Sequence, residues 1–198
     1  MSKQKASKKF YSLAVAVVKP IVRILYPMKI TGTENIPDGA AIICANHSNY
    51  IDPVLIAIAF TSKYWIRFMA KIELFSIPVL KGILSRLGTF PVDRSNADVS
   101  SVRTAMRFLK SGEKIMIFPE GTRVSEDDAV AAKSGAVRMA SKLKVPVVPI
   151  FITRKKVIFK KVELVIGAPY SITAAAGEYD SAAEDLMCRI RQLGEHSV

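Results

Sequence analysis

Histidine and cysteine are scarce in this chain, with two of each among 198 residues. Cys44 and Cys188 stand far apart, and only His47 and His196 exist, so the clustered ligand spacing of a zinc site is missing. No metal is expected. His196 sits near the C-terminus, where order is least expected, which leaves His47 as the single candidate for acid–base chemistry. Two cysteines give no disulfide framework, in keeping with a reducing cytosolic side. No uninterrupted apolar run reaches the roughly 20 residues that a bilayer-spanning helix needs. There is no linker, internal repeat or low-complexity tract, and no nucleic-acid-binding motif, so the basic charge does not point to DNA or RNA.

Acid is missing locally. Residues 1–30 hold seven basic side chains (Lys3, Lys5, Lys8, Lys9, Lys19, Arg23, Lys29) and none of opposite sign. Residues 154–161 hold five (Arg154, Lys155, Lys156, Lys160, Lys161), again without acid. Together these account for the whole net charge of +12. Half the residues are hydrophobic, which excludes a disordered chain and gives one domain a sizeable core. The first basic cluster adjoins an apolar segment from Phe10 to Tyr26, with Ser12, Lys19 and Arg23 on one stripe. This predicts a helix lying in a membrane interface with its cations on anionic head groups. Pro20 is placed to kink it or split it in two. A signal peptide is disfavoured by the missing small-x-small cleavage site; a buried core helix is the other alternative. The second basic cluster, interrupted by Val157-Ile158-Phe159, reads as a hairpin with a solvated tip, or as a dock for anionic lipid or an acidic protein.

His47 belongs to Asn46-His47-Ser48-Asn49-Tyr50-Ile51-Asp52. On one helix, five residues turn the chain by roughly 500°, leaving His47 and Asp52 about 140° apart. The neighbouring sequence offers a better arrangement. Ala40 to Ala45 reads as a buried strand, and Asp52-Pro53 opens the apolar run Val54 to Phe60, with aspartate at an N-cap and proline at the first helical position. A strand–loop–helix corner folds Asp52 back on His47, to hold the imidazole and stabilise its charged form. Helix capping alone also explains Asp52.

The second motif is Phe118-Pro119-Glu120-Gly121-Thr122-Arg123, after the apolar strand Lys114 to Phe118. Arg123 is suited to bidentate phosphate contact, Gly121 permits close backbone approach, and Glu120 either orients Arg123 or braces the loop. If the two strands are parallel, both motifs open on one sheet edge, where α/β proteins collect ligands.

With these residues in order, the chain resembles the 1-acylglycerol-3-phosphate (lysophosphatidic acid) acyltransferases, among the glycerolipid acyltransferases with the H-x-x-x-x-D signature. His47 and Asp52 match the first family block. Lys71 to Phe75 and Gly88 to Arg94 resemble the second, Phe118 to Arg123 match the third, and Val145 to Ile150 resemble the fourth. The resemblance implies a catalytic base (His47) and its orienter (Asp52). It implies phosphate binding by Arg94, Arg123 and the loop residues Glu120, Gly121 and Thr122, and charge stabilisation on the thioester oxygen by Lys71. It implies acyl transfer from acyl-CoA or acyl-carrier protein, without a bound cofactor, to the sn-2 hydroxyl of lysophosphatidic acid, giving phosphatidic acid. Glycerol-3-phosphate or another lysophospholipid as acceptor stays open, as does a catalytically silent module that binds anionic membranes.

The expected fold is a single α/β domain with a mixed central sheet flanked by helices. Residues 1–27 form a membrane anchor and 28–198 the catalytic domain, on the cytoplasmic face of a membrane as a monotopic or peripheral protein. Val99, Val102, Met106 and Leu109 mark one helix face ended by Ser111-Gly112, and helices are expected over 135–143 and 180–193. Val147 to Ile152 and Val162 to Ile166 read as strands, Pro149 placing the first at an edge or bulge. Tyr64, Trp65, Phe68, Leu74, Phe75, Ile77 and Leu80 are candidates for an acyl groove or for ordinary core.

Overall fold

Apolar runs of four to six residues alternate with helical patterns along the chain, and they assemble into a sheet covered on both faces. The computed structural model describes residues 6–61, 63–93, 98–124 and 130–195, so Arg94 and His196 lie outside the described residues. The strands are β1 (Met28–Thr31), β2 (Ala41–Ala45), β3 (Ile66–Lys71), β4 (Phe90–Val92), β5 (Lys114–Ile117), β6 (Val147–Ile152) and β7 (Val162–Ile166). The helices are α1 (Lys8–Leu25), α2 (Asp52–Ala59), α3 (Pro78–Leu87), α4 (Val99–Lys110), α5 (Gly135–Leu143) and α6 (Tyr179–Glu195). The sheet order is β1-β7-β6-β2-β5-β3-β4. Every pairing is parallel except β6 with β7, so the sheet is mixed.

β2 lies at the centre and is buried along its whole length. Strand alternation sends its side chains to opposite faces. Ala41, Ile43 and Ala45 join Leu55, Ile58 and Phe60 of the α2 segment and Val22 of α1 in one core layer. Ile42 and Cys44 join Ala105 and Leu109 of α4, Val137 and Ala140 of α5, and Leu186 and Ile190 of α6 in the other. β2 and β5 pair in parallel, Ile43 opposite Met116 and Cys44 opposite Ile117. Both motif-bearing loops therefore leave the sheet side by side.

Of three expectations, one needs correction and two are narrowed. Pro149 marks a bulge and not an edge, since β6 lies between β7 and β2. Pro149 is tolerated there because its neighbourhood is irregular. Its carbonyl accepts from Gly167, just past the end of β7, while Val147 bridges Tyr170, so the partner segment carries an extra residue. The buried stripe of α4 is Ser101, Ala105 and Leu109, whereas Val99 and Val102 are exposed. Trp65 and Phe68 pack against Tyr11 and Val15 of α1 as core, while Leu74 and Ile77 are exposed.

α1 is one unbroken helix despite Pro20. One face, Tyr11, Val15 and Val22, is buried in the domain. A second stripe, Leu13, Val17, Ile21 and Ile24, is exposed at spacings of four, four and three. The helix is thus both a core element and an apolar surface. No helix among the described residues is long and apolar enough to cross a membrane.

Candidate active site

The loop between β2 and α2 is held in place by side chains that imitate strand pairing. Asn46 is buried; its amide donates to the Ile152 carbonyl at 2.8 Å, and its oxygen accepts from the Ile152 amide at 2.9 Å. This pins the first residue after β2 to the end of β6. The next residue, His47, is turned into the site. Its own amide donates to Glu120 Oε2 at 2.6 Å, and its carbonyl accepts from the Val124 amide at 2.9 Å. The His47 loop and the 118–124 loop are therefore stitched together on either side of the imidazole.

His47 Nδ1 lies 2.9 Å from Asp52 Oδ2. That oxygen also accepts from the amides of Ser48 and Asn49, each at 2.8 Å. The imidazole stacks on Phe118, ring centroids 4.0 Å apart and planes within 17°. With one nitrogen tied to the carboxylate and one ring face covered, Nε2 is the group left for a substrate. The question of whether Asp52 caps its helix is answered: Ile51 occupies the N-cap without a side-chain bond, and Asp52 is the first helical residue. The carboxylate satisfies the amides of the preceding loop instead, and it orients His47.

Asp52 is fully buried, and its second oxygen meets a partner the motif did not reveal. Lys156 Nζ lies 2.6 Å from Oδ1, with both side chains at 0% exposure. The same ammonium donates to Ser48 Oγ at 2.9 Å and to the Thr153 carbonyl at 2.5 Å. Burial, the largest single influence, raises the Asp52 carboxyl. The hydrogen bond with His47, the Lys156 ammonium and the Asn49 amide together overcome it and hold the group below its ordinary value of 3.8. Burial lowers the Lys156 ammonium from 10.5, and Asp52 opposes that shift.

Arg154, from the same basic run, places Nη2 3.1 Å from Glu120 Oε1. Glu120 is buried, with one oxygen on the His47 amide and the other on Arg154, so of the two roles read from the sequence it takes that of loop brace. Lys155 and residues 157–161 form the exposed tip expected of the β6–β7 hairpin, while Arg154 and Lys156 are built into the site. Sequence reasoning missed both; the only signal was their position just after the fourth block, at the end of β6.

The other assigned residues are placed as follows. Gly121 closes a turn, its amide donating to the Phe118 carbonyl at 2.9 Å with Pro119 at the second position. Its φ is +70°, and a Cβ there meets the Lys133 side chain at 2.6 Å. Thr122 and Arg123 are exposed, and the Arg123 guanidinium lies 3.6 Å over the ring of Tyr50. That stack leaves the edge N–H groups of Arg123 for a ligand. Lys71 is exposed at the end of β3 and paired with Glu73 at 3.0 Å; no contact joins it to His47 or Asp52. Arg94 lies outside the described residues.

Beside the 118–121 turn is a cavity of about 530 Å³. Met69, Met116, Ile117, Val102 and Met139 give it apolar walls, and Gly121, Lys133 and Arg138 line its polar part. Phe118 touches both the cavity and the imidazole. Among the described residues, no group of three or more His, Cys, Asp or Glu side chains is placed to hold a metal ion.

Residues 27–153 match the Acyltransferase family. A 1-acyl-sn-glycerol-3-phosphate acyltransferase of Bacillus subtilis (strain 168) is 37% identical over 165 residues, 80% of this chain and 81% of the relative. One from Streptococcus pneumoniae is 33% identical over 80% of this chain and 61% of its own length. The crystal structure of the 1-acyl-sn-glycerophosphate (LPA) acyltransferase PlsC from Thermotoga maritima superposes with a TM-score of 0.68 at 27% identity, covering 96% of this chain and 78% of that one.

Proposed function

This chain belongs to the Acyltransferase family, and from that premise we propose how its residues divide the work. The enzyme acylates 1-acyl-sn-glycerol-3-phosphate, lysophosphatidic acid, to phosphatidic acid. The free hydroxyl of that acceptor is at sn-2. His47 Nε2 takes the hydroxyl proton as the oxygen attacks the carbonyl carbon of a thioester donor, acyl-CoA or acyl-carrier protein. The tetrahedral intermediate collapses, the C–S bond breaks, and the thiolate leaves with the proton from the imidazolium. Nucleophile and leaving group both belong to substrates, so no acyl-enzyme forms.

The observation that carries this reading is the 2.9 Å contact of Asp52 with His47 Nδ1. It fixes the tautomer with Nε2 unprotonated, and it meets the charge that develops on the ring. Lys156 keeps that carboxylate ionised in a fully buried position. Arg123, preorganised on Tyr50, takes the acceptor phosphate with the amides beside Gly121 and Thr122, and Arg94 is the second cation of the clamp. The cavity behind Phe118 is within the size range of ligand pockets, and its methionine-rich wall suits an acyl chain.

The working surface is a membrane. The exposed stripe of α1, with Lys19 and Arg23 beside it, supports docking in the interface of an anionic bilayer without crossing it. Val79 and Ile83 of α3, which packs on α1, are also exposed. With both cysteines free, the docked face is assigned to the cytoplasmic side as a peripheral or monotopic protein.

The deciding experiment offers a labelled acyl donor against a panel of acceptors and resolves the products by mass. Phosphatidic acid from lysophosphatidic acid is expected, with turnover lost in His47→Ala while vesicle binding is kept. Turnover retained by His47→Ala overturns the mechanism.

A further inference from the structure

The basic run between β6 and β7 faces two ways. Its inward side chains, Arg154 and Lys156, are locked to Glu120 and Asp52. Its apex, Val157-Ile158-Phe159, is exposed at 46%, 51% and 68%. The apex is a defined turn, closed by the Lys160 amide on the Val157 carbonyl at 3.1 Å. Phe159 occupies the third position with φ +65°, a left-handed backbone that ordinarily goes to glycine or asparagine. The chain thus accepts strain to present a large apolar ring that is 68% exposed among the described residues. The turn is tied to α1, because the Phe159 amide donates to the Leu25 carbonyl at 2.6 Å. Leu25 is the last residue of α1, next to Ile24, the final member of the exposed apolar stripe.

We propose that the Val157-Ile158-Phe159 apex is a second bilayer contact, inserting into an anionic membrane surface in line with the exposed stripe of α1. The proposal deepens the membrane reading given above and rests on it. Charge complementarity supports it. Lys155, Lys160 and Lys161 are exposed around the apex, and the only acid among these partners is Glu163, shared by Lys161 and Lys29. Apolar side chains framed by lysines are the pattern of interfacial insertion, with hydrocarbon for the former and anionic head groups for the latter. An acidic carrier protein would satisfy the lysines but would leave three adjacent apolar side chains without a partner, so the bilayer is favoured. The consequence is geometric. The residues flanking the apex hold Asp52 and Glu120, so insertion fixes the orientation of the His47 site relative to the lipid that carries its substrate.

The test places an environment-sensitive NBD fluorophore on F159C in a C188S background, where the remaining Cys44 is fully buried. A second label on K142C of α5, on the opposite sheet face, serves as the reference. With phosphatidylcholine–phosphatidylglycerol vesicles, the label at 159 should brighten, shift to the blue and be quenched by doxyl-labelled lipid, while the label at 142 stays unchanged. The I158D/F159D variant should bind the same vesicles about tenfold more weakly. Its turnover of a short-chain, monodisperse lysophosphatidic acid should stay within about twofold of wild type, since both sites are on the surface. Aspartate is better tolerated than phenylalanine in the left-handed region, so the fold is not at risk. Vesicle binding by I158D/F159D equal to wild type overturns the proposal, as does a label at 159 that answers to acyl-carrier protein but not to vesicles. Wild-type protein that fails to bind anionic vesicles at all overturns the membrane reading itself.

Discussion

Lys156 Nζ stands 2.6 Å from Asp52 Oδ1, and both side chains are sealed from solvent. Asp52 is therefore the middle member of a buried chain, with His47, the proposed base, on one oxygen and a lysine from the β6–β7 loop on the other. An unpaired carboxylate at this depth would tend to neutralise itself by taking a proton. The lysine makes an ionised, fixed carboxylate compatible with the core.

Lys156→Met tests this directly. Removing one partner of a buried ion pair is expected to cost about 3 kcal/mol, seen as a drop in Tm. The pH dependence should also change. The Asp52 carboxyl is held below its ordinary 3.8, so its contribution to stability is present above that value and is lost as pH falls through the folded-state value. The variant lacks the Lys156 influence while burial still acts upward, so the acid edge of stability should move to higher pH. Melting curves across the acid range, wild type against variant, check it; superimposable acid edges would sink the idea.

Asp52→Asn separates orientation from packing. The side chain keeps its size, but it no longer stabilises the imidazolium and it favours the wrong tautomer. Turnover should fall by about 10³-fold or more at saturating acceptor, with KM for lysophosphatidic acid little changed. A variant impaired only in KM would remove Asp52 from the chemistry.

Much of this site was legible in the sequence, and the reason is local. The strand before His47, the corner at Asn49 and the helix opening at Asp52-Pro53 are all encoded within about a dozen residues, as is the proline–glycine turn from Phe118 to Gly121. What stayed hidden depends on pairings distant in sequence. Lys156 reaches Asp52 only because β6 lies beside β2, and Arg154 reaches Glu120 for the same reason. Charge runs are usually solvated, so composition argued against burying either. Pro149 was legible as an edge or a bulge, and only the distant pairing past Gly167 decides for the bulge. On α4 the apolar periodicity was real, but Val99 and Val102 are exposed while Ser101, Ala105 and Leu109 form the buried stripe.

Arg123→Ala should raise KM for lysophosphatidic acid much more than for a phosphate-free monoacylglycerol, because the proposed clamp sets the guanidinium edge above Tyr50 on the phosphate. Arg123→Lys should recover little of the loss, since an ammonium supplies neither the bidentate fork nor the same stack on Tyr50. Steady-state kinetics on both acceptors decide it: equal losses on the two remove Arg123 from the clamp.

Gly121→Ala carries two penalties. The left-handed φ of +70° costs a non-glycine residue about 1 kcal/mol or more, and the new Cβ displaces the Lys133 side chain that crosses the turn. A modest fall in Tm with a clear rise in KM for lysophosphatidic acid is expected. A shift in Tm with unchanged KM would mean that neither the turn nor Lys133 touches the acceptor.

Glu120→Gln distinguishes a brace from a ligand contact. The amide oxygen still accepts from the His47 backbone, so the loop keeps its shape, but the charge that meets Arg154 is lost. Arg154 retains some exposure, which tempers the penalty to about 2 kcal/mol. Because the carboxylate is buried behind His47 and away from the exposed Arg123, the kinetic loss should fall on turnover through a loosened imidazole, leaving KM for lysophosphatidic acid near its wild-type value. A dominant change in KM, reversed with a phosphate-free acceptor, would return Glu120 to the phosphate site.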